Sequence, residues 1–232
     1  MKNATKKLVM LSLAVLLVAA TAQAAVVNVD FQDAAESGTV TYVGLAAAPD
    51  AAGNTLWNSV KSSGTDLTAS DGTATTIDVA LTNTSGVGLP GSTHAGNTDL
   101  TRERAMANNS TANFTISGLA NSASYDIYLY NTHFGTAGWF GTDYTIGTTT
   151  LNANDAGAPP TATDGTGWTL GDDYVKFSVT SSASGVITGS WTTDAGGSTW
   201  GMLSGMQIVP EPATMSLLGI GGLLALVRRR RK

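Results

Sequence analysis

Two histidines and no cysteine limit the nucleophilic and metal chemistry open to this 232-residue chain: thiolate sites are excluded, and imidazole has only two places to act. His133 stands in NTHFGTAGWFGTD, Asn131 to Asp143, which gathers Phe134, Trp139 and Phe140 between amide and carboxylate ends. Recognition of a sugar wants an aromatic face against the apolar side of a pyranose, with Asn or Asp nearby for the hydroxyls. His133, Trp139, Phe140 and Asp143 are therefore the candidate ligand residues. Glycines at Gly135, Gly138 and Gly141 would let the backbone curve toward a ligand without steric cost. Against this stands the ordinary use of large aromatics, which are mostly buried. Trp139 and Phe140 could close the core beneath the loop, and Trp57, Trp168, Trp191 and Trp200 read first as core.

Catalytic patterns are missing around the histidines. His94 lies in the glycine-rich stretch GLPGSTHAG, and neither histidine has a G-x-S-x-G elbow or an H-E-x-x-H spacing beside it. No catalytic residue is assigned, although a pair of carboxylates suited to glycan hydrolysis can arise among so many acids. Asp172-Asp173 and Arg102-Glu103-Arg104 read as turn and surface charges. Calcium needs six to eight oxygen ligands. Asp71-Gly72-Thr73, Asn152-Ala153-Asn154-Asp155 and Asp164-Gly165-Thr166 are oxygen-rich, yet none completes the D-x-[DN]-x-[DN]-G-x₅-E loop. Each reads better as an Asx turn. The expectation is no cofactor, with a structural Ca²⁺ as the bounded alternative.

Such side chains need a scaffold, and the interior of the chain reads as β throughout. Val27, Val29 and Phe31 alternate with Asn28 and Asp30; Ile77, Val79 and Leu81 share one face of TIDVAL; Phe114 and Ile116 share one face of ANFTISGL. YDIYLY sets Tyr125, Ile127 and Leu129 against Asp126, Tyr128 and Tyr130, and YVKFSV sets Val175, Phe177 and Val179 against Tyr174, Lys176 and Ser178. Period-two alternation between Gly, Asn, Asp and Ser clusters marks half-buried antiparallel strands. GVITGSW and GMLSGMQIV supply two late strands. The best helix candidate runs from about Asp99 to Ala107. About ten strands in one domain predict an all-β, two-sheet antiparallel sandwich, most economically a jelly roll.

The two ends differ from this interior. MKNATKKLVMLSLAVLLVAATAQA has Lys2, Lys6 and Lys7 before an apolar core, then Ala22-Gln23-Ala24, the small-residue pattern a signal peptidase accepts. Cleavage between Ala24 and Ala25 would make 1–24 a signal helix. At the other end Pro210-Glu211-Pro212 precedes an uncharged apolar run, Ala213 to Val227, and the basic block Arg228, Arg229, Arg230, Arg231 and Lys232. That run is shorter than the roughly 20 residues of a full span, and the basic block would stay on the cytoplasmic side. It suits transient anchoring in an inner membrane. Three of the 12 basic residues lie in the leader and five in the tail, leaving four between Ala25 and Val209 against sixteen acidic ones, a net charge of −12. Nucleic acid is a poor partner for that balance.

A signal peptide, a Pro-Glu-Pro motif, a short apolar helix and a terminal arginine cluster together resemble the PEP-CTERM sorting architecture of bacteria. The resemblance implies a tail (209–232) recognised and removed by an exosortase after signal peptidase has acted. It also implies a Gram-negative-type host that makes exopolysaccharide, and a final place at the cell surface or in biofilm matrix. Within the remaining domain, 25–208, FTISGL followed by YDIYLY is similar to the hairpin of PEP-CTERM proteins with galactose-binding-like domains. VNVDFQ, Trp57-Asn58, YVKFSVTSSASGVITGSW and GMLSGMQIVPEP also sit where that pattern expects them. This second resemblance implies a jelly-roll fold and, for some members, carbohydrate binding. The expectation is an exported structural or adhesive protein, with a polysaccharide-binding module as the alternative and a secreted glycan-active enzyme third.

Protein accumulated by the native host should begin near Ala25 and lack Arg228–Lys232. Intact-mass measurement of the surface form checks both ends, and a form still carrying the basic block would overturn removal of the tail.

Overall fold

Apolar side chains at alternate positions fix which face of each strand turns inward, and the computed structural model of the chain follows that pattern. It describes residues 26–32, 42, 44–48, 56–87, 100, 103–131, 141–154, 166–194 and 199–211. Among them are fourteen strands: β1 (Val27–Phe31), β2 (Asn58–Val60), β3 (Ser63–Gly64), β4 (Asp78–Thr82), β5 (Gly86–Val87), β6 (Ala105–Asn108) and β7 (Ala112–Ser117). The rest are β8 (Ser124–Tyr130), β9 (Thr142–Ile146), β10 (Thr149–Ala153), β11 (Tyr174–Thr180), β12 (Ile187–Thr193), β13 (Trp200–Leu203) and β14 (Gly205–Pro210). The two terminal helices expected from the sequence lie outside the described residues.

One sheet has the order β11-β8-β14-β1-β2, a second β10-β9-β12-β7-β4-β3, and a short third β13-β6-β5. The fold is all-β and consistent with a sandwich. Pairing is antiparallel except between β1 and β2, which run parallel with Val29 opposite Asn58. The core between the two large sheets takes Val27, Val29 and Phe31 from β1, Ile127 and Leu129 from β8, and Val175 and Phe177 from β11. The other sheet supplies Val79 and Leu81 from β4, Phe114 and Ile116 from β7, and Trp191 from β12. Fully burying one such side chain contributes about 1.5–3 kcal/mol. The Tyr144 hydroxyl ties the sheets together, bonding the Met202 carbonyl and lying 3.2 Å from the Tyr130 carbonyl.

Several expectations are corrected. The helix expected from Asp99 to Ala107 is not formed over its second half: Ala105–Asn108 is strand β6, paired antiparallel with Trp200–Leu203. Long-range pairing with β13, and burial of Ala105, Met106 and Ala107, outweigh the weak helical preference of that stretch. GMLSGMQIV is two strands rather than one, because the chain leaves the three-stranded sheet at Ser204 and enters the five-stranded sheet at Gly205. A Cβ at Gly205 would lie 2.4 Å from Leu100 Cδ1 and 3.0 Å from the Val29 carbonyl oxygen, so a side chain there requires the buried Leu100 to shift. Glu103, Arg104 and Asp173, read as surface charges, are buried. Asn28 and Asp30 are buried too, so β1 has no solvent face.

Phe177→Ala is expected to lower stability by about 3–5 kcal/mol, the usual range for a large core truncation. A urea midpoint unchanged by the substitution, at unchanged slope, would show that Phe177 does not face the core.

Candidate functional site

The loop that carried the sequence-level site begins and ends on buried anchors. At its base Asn131 is buried, its backbone N–H donates to the Asp173 carbonyl at 2.8 Å, and its Nδ2 donates to the Ala153 carbonyl at 3.0 Å. At its return Gly141 packs against Asp194, whose N–H donates to the Gly141 carbonyl at 3.0 Å. Asp143, on β9, is half-buried and accepts from Asn152 Nδ2 across the β9–β10 hairpin at 2.8 Å. Its carboxylate is thus already used within the sheet. His133, Trp139 and Phe140 lie outside the described residues, as do the cleavage residues Ala22, Ala24 and Ala25. Of the sorting residues, Pro210 is the half-buried last residue of β14 and Glu211 after it is exposed. Pro212, Arg228, Arg229, Arg230 and Arg231 lie outside the described residues.

A second aromatic group, not anticipated as a site, covers the outer face of the five-stranded sheet. Tyr128 and Tyr130 point away from the core that takes Ile127 and Leu129, and Tyr174 does the same opposite Val175. Tyr174 stacks on Tyr128 with centroids 5.8 Å apart, and Trp168 meets Tyr130 edge-on at 4.9 Å. Trp57 lies 6.4 Å from Tyr130 and 5.0 Å from Tyr42, continuing the row across β14 and β1 toward β2. Edge-to-face and offset contacts of this kind stabilise beyond the area they bury. The sequence signal was visible: tyrosines at 128, 130 and 174 are not what a solvent face carries.

Polar groups thread the same face. The Tyr130 hydroxyl donates to Gln207 Oε1, Gln207 Nε2 donates to Asn28 Oδ1 at 2.8 Å, and Asn28 Nδ2 donates to the Leu56 carbonyl at 3.0 Å. Ala47 N–H donates to the Tyr130 hydroxyl at 2.9 Å, Ala48 N–H to Gln207 Oε1 at 3.1 Å, and Trp57 Nε1 to the Gly44 carbonyl at 2.9 Å. Burial holds the Tyr130 phenol well above the ordinary tyrosine range, and Tyr128 is raised for the same reason. Both phenols stay neutral, and that of Tyr130 donates. At the open edge Lys176 Nζ pairs with Asp126 at 2.7 Å and lies 5.7 Å from the Tyr128 ring centre. Ser178 donates to the other Asp126 oxygen at 2.5 Å. The hydrogen bond to Asp126 raises the Lys176 pKa and keeps the ammonium charged.

What this row offers a ligand is limited to its edge. Trp168 and Tyr174 are half-buried, and the Trp168 indole N–H is buried with no acceptor among the described residues. Leu170 beside them is 63% exposed. The calcium-like stretch at Asp71 is an Asx turn, with Asp71 Oδ1 accepting from Thr73 N–H at 2.8 Å; that bond holds its carboxyl below the usual range. Among the described residues no three His, Asp or Glu side chains are grouped to hold a metal ion.

Among the carboxyl groups, that of Asp173 has its pKa raised by the fold. Burial, and after it the neighbouring Asp172 charge, push its carboxyl up to about 6, against the opposing 2.7 Å bond from Thr169 N–H. Between about pH 4 and 6 the native state therefore holds a proton there that the unfolded chain has already released. Stability from this group is fullest below about pH 4 and is lost as pH rises through about 6. Asp173→Asn keeps an acceptor for Thr169 and removes the titration. Urea midpoints across that range should fall for the parent relative to the variant, and parallel curves would show an unshifted carboxyl.

Comparison with known proteins identifies the C-terminal segment: residues 209–232 match the PEP-CTERM protein-sorting motif. No curated protein matches the chain. Two solved structures are similar at low identity. The crystal structure of plant receptor-like kinase FER is 12% identical with a TM-score of 0.41, covering 81% of this chain and 42% of that one. The exo-beta-1,3-galactanase from Phanerochaete chrysosporium with galactose is 14% identical with a TM-score of 0.29, covering 61% and 32%. The chain thus spans less than half the length of either structure. Its C-terminal segment is a PEP-CTERM motif, the address of an exported protein processed at the membrane by an exosortase.

Proposed function

We propose that the mature domain is a non-catalytic structural or adhesive component of the extracellular matrix. In this reading it is delivered to the cell surface by the sorting tail and associated with exopolysaccharide in biofilm. The observation that carries this reading is the closure of the domain on both faces of its five-stranded sheet. The described aromatics other than Trp200 fill or flank two cores, Trp57 and Trp191 are buried, and the exposed large hydrophobics among the described residues are Leu56 and Leu170 alone. So few exposed apolar groups among the described residues, on a domain of charge −12, support solubility outside the cell. A disulfide-free chain of this length gains its stability from such packing. The sandwich is further proposed to be of the galactose-binding-like kind, on the strength of the hairpin and strand motifs read from the sequence.

The half-exposed edge at Trp168 and Tyr174, with an indole N–H lacking an acceptor among the described residues, favours one second reading, a carbohydrate-binding module. The Asn131–Asp143 loop belongs to the same reading, with Trp139 its main contact.

Retention of the processed protein on an immobilised exopolysaccharide column separates the two. On the structural reading the protein stays in the washed matrix of the native host and is not displaced by soluble polysaccharide. On the module reading soluble polysaccharide displaces it, and either Trp139→Ala or Trp168→Ala abolishes column retention while the folded far-UV spectrum is kept.

A further inference from the structure

Among the described strands, β2 and β11, β10 and β3, and β13 and β5 stand at the edges of the three sheets. Of these β11 is the longest at seven residues, followed by β10 at five, while the others have two to four. Its register against β8 runs unbroken from Tyr174 opposite Tyr130 to Thr180 opposite Ser124. The flanking bonds show which way its backbone faces. Asn131 N–H donates to the Asp173 carbonyl at 2.8 Å and Ser181 N–H to the Ala123 carbonyl at 2.9 Å, both in that register. Hydrogen-bonded pairs alternate along an antiparallel ladder. Val175, Phe177 and Val179 therefore turn their backbone groups to β8, and Tyr174, Lys176, Ser178 and Thr180 turn theirs outward. The Tyr174 carbonyl is taken by Gly171 N–H at 2.8 Å. Lys176, Ser178 and Thr180 are exposed, and among the described residues no strand pairs with their outer side.

Proteins blunt such an edge with proline, a bulge or an unmatched charge. β11 has no proline and no bulge. Its one charge, Lys176, is matched by Asp126 of its own β8 at 2.7 Å. The outward groups are symmetric about Ser178. An antiparallel copy centred there sets Ser178 opposite Ser178 and Lys176 opposite Thr180, and each of these pairs exchanges two backbone bonds. No outward group from Lys176 to Thr180 is then left over. A register centred on Phe177 instead would aim Thr180 at Tyr174, whose carbonyl Gly171 already holds. Centring on Ser178 also sets the half-buried Val179, which flanks the core, against Phe177 of the other copy. That pair is of the non-hydrogen-bonded kind, in which side chains lie closest. Charge is compatible with the match, since Lys176 meets a threonine and each copy keeps its own Lys176–Asp126 pair. We infer that β11 is an association edge whose partner is β11 of a second copy, joining two five-stranded sheets into one across a twofold axis. The inference goes beyond the proposed role, because it depends on the edge alone and holds whether the domain is structural or binds a polysaccharide. So short an edge buries less than the roughly 1,200 Å² of a standard interface, so the dimer is concentration-dependent. The charge of −12 on each domain opposes approach, so salt strengthens the pair.

Sedimentation velocity on the protein recovered from the native host, from micromolar to millimolar concentration, tests the pairing. The dimer fraction should grow with concentration and grow further in high salt. Ser178→Pro removes an N–H that β8 does not use, so the variant should keep its near-UV spectrum and stay monomeric. Thr180→Pro, at the strand end, makes the same test with less of the strand disturbed. The chain has no native cysteine, so Ser178→Cys places one pair of thiols across the axis. A hydrogen-bonded pair has its Cα atoms about 5.5 Å apart, within the span of a disulfide. Mild oxidation should therefore link Ser178→Cys into dimers several-fold faster than Thr150→Cys, which is exposed on the β10 edge. A parent monomeric at millimolar concentration, a dimer dissolved by salt, a dimer kept by a folded proline variant, or equal crosslinking at the two edges overturns the self-pairing. A monomer whose β11 edge takes up an extended peptide of unrelated sequence also overturns it, and assigns the edge to another chain.

Discussion

Burying a β-sheet on both faces is costly unless polar side chains on the second face find partners, and on the inner strands the series from Tyr130 through Gln207 and Asn28 to Leu56 supplies them. It crosses β8, β14 and β1, the three inner strands of the five-stranded sheet, and reaches the approach to β2. An unbonded buried amide would cost on the order of 1–3 kcal/mol, so Gln207 and Asn28 are tolerable only as links of a continuous series. Residues 42–48 complete it: Ala47 and Ala48 donate backbone N–H groups into the series, and Tyr42 N–H donates to Asp30 at 2.9 Å. The outer layer is thereby fixed by directional bonds, and the Tyr42, Trp57, Tyr130 and Trp168 rings pack around them. A purely apolar second face would bury as much area without selecting one placement for the covering segment.

That arrangement shows which parts of the fold were legible in the sequence. Where one face meets the core and the other meets water, as in β7 with its alternating burial, period-two patterning gives the register directly. Phe114, Ile116, Ile127, Leu129, Val175 and Phe177 are all buried as their pattern requires. The same rule misleads at β1, where all five residues are buried. A polar residue at alternate positions looks the same whether water or a glutamine satisfies it. Asn28 and Asp30 therefore read as a solvent face until β14 supplies Gln207 from 179 residues away. Ala105–Asn108 failed for the opposite reason: four residues carry little intrinsic preference, and the partner that decides them, β13, lies far along the chain.

The candidate site divides along the same line. Loop composition pointed to Asn131–Asp143, and the structure shows a base well made for holding a loop, with Asn131 and Gly141 locked at either end. It also shows Asp143 engaged with Asn152, which leaves that carboxylate less available than its position in the sequence implied. The outer aromatic row could have been inferred from Tyr128, Tyr130 and Tyr174 once the two strands were taken to be neighbours. What the sequence could not tell is that Trp57, some seventy residues before Tyr130, closes the row from the other side. The buried Asp173 was hidden because its burial comes from the turn it caps rather than from any apolar pattern of its own.

Topology connects these local facts to sorting. β14 is last in the chain yet lies between β8 and β1 in the middle of its sheet. Until Gly205–Pro210 is available, β1 has only β2 beside it, and β8 only β11. Gln207 is missing from the polar series, and the segment at 47–48 has lost one of its two acceptors. The domain therefore cannot close either of its cores before the end of its sequence has been exported, and the next residues to appear are Glu211 and Pro212. Because Pro210 belongs to both the last strand and the sorting motif, completion of the sheet and presentation of the motif occur at the same residue. A tail separated by a long linker would become accessible whether or not the domain had folded. Here the half-buried Pro210 and the exposed Glu211 mark a sharp boundary, and the sheet holds that boundary in place only when β1 and β8 have both paired with β14.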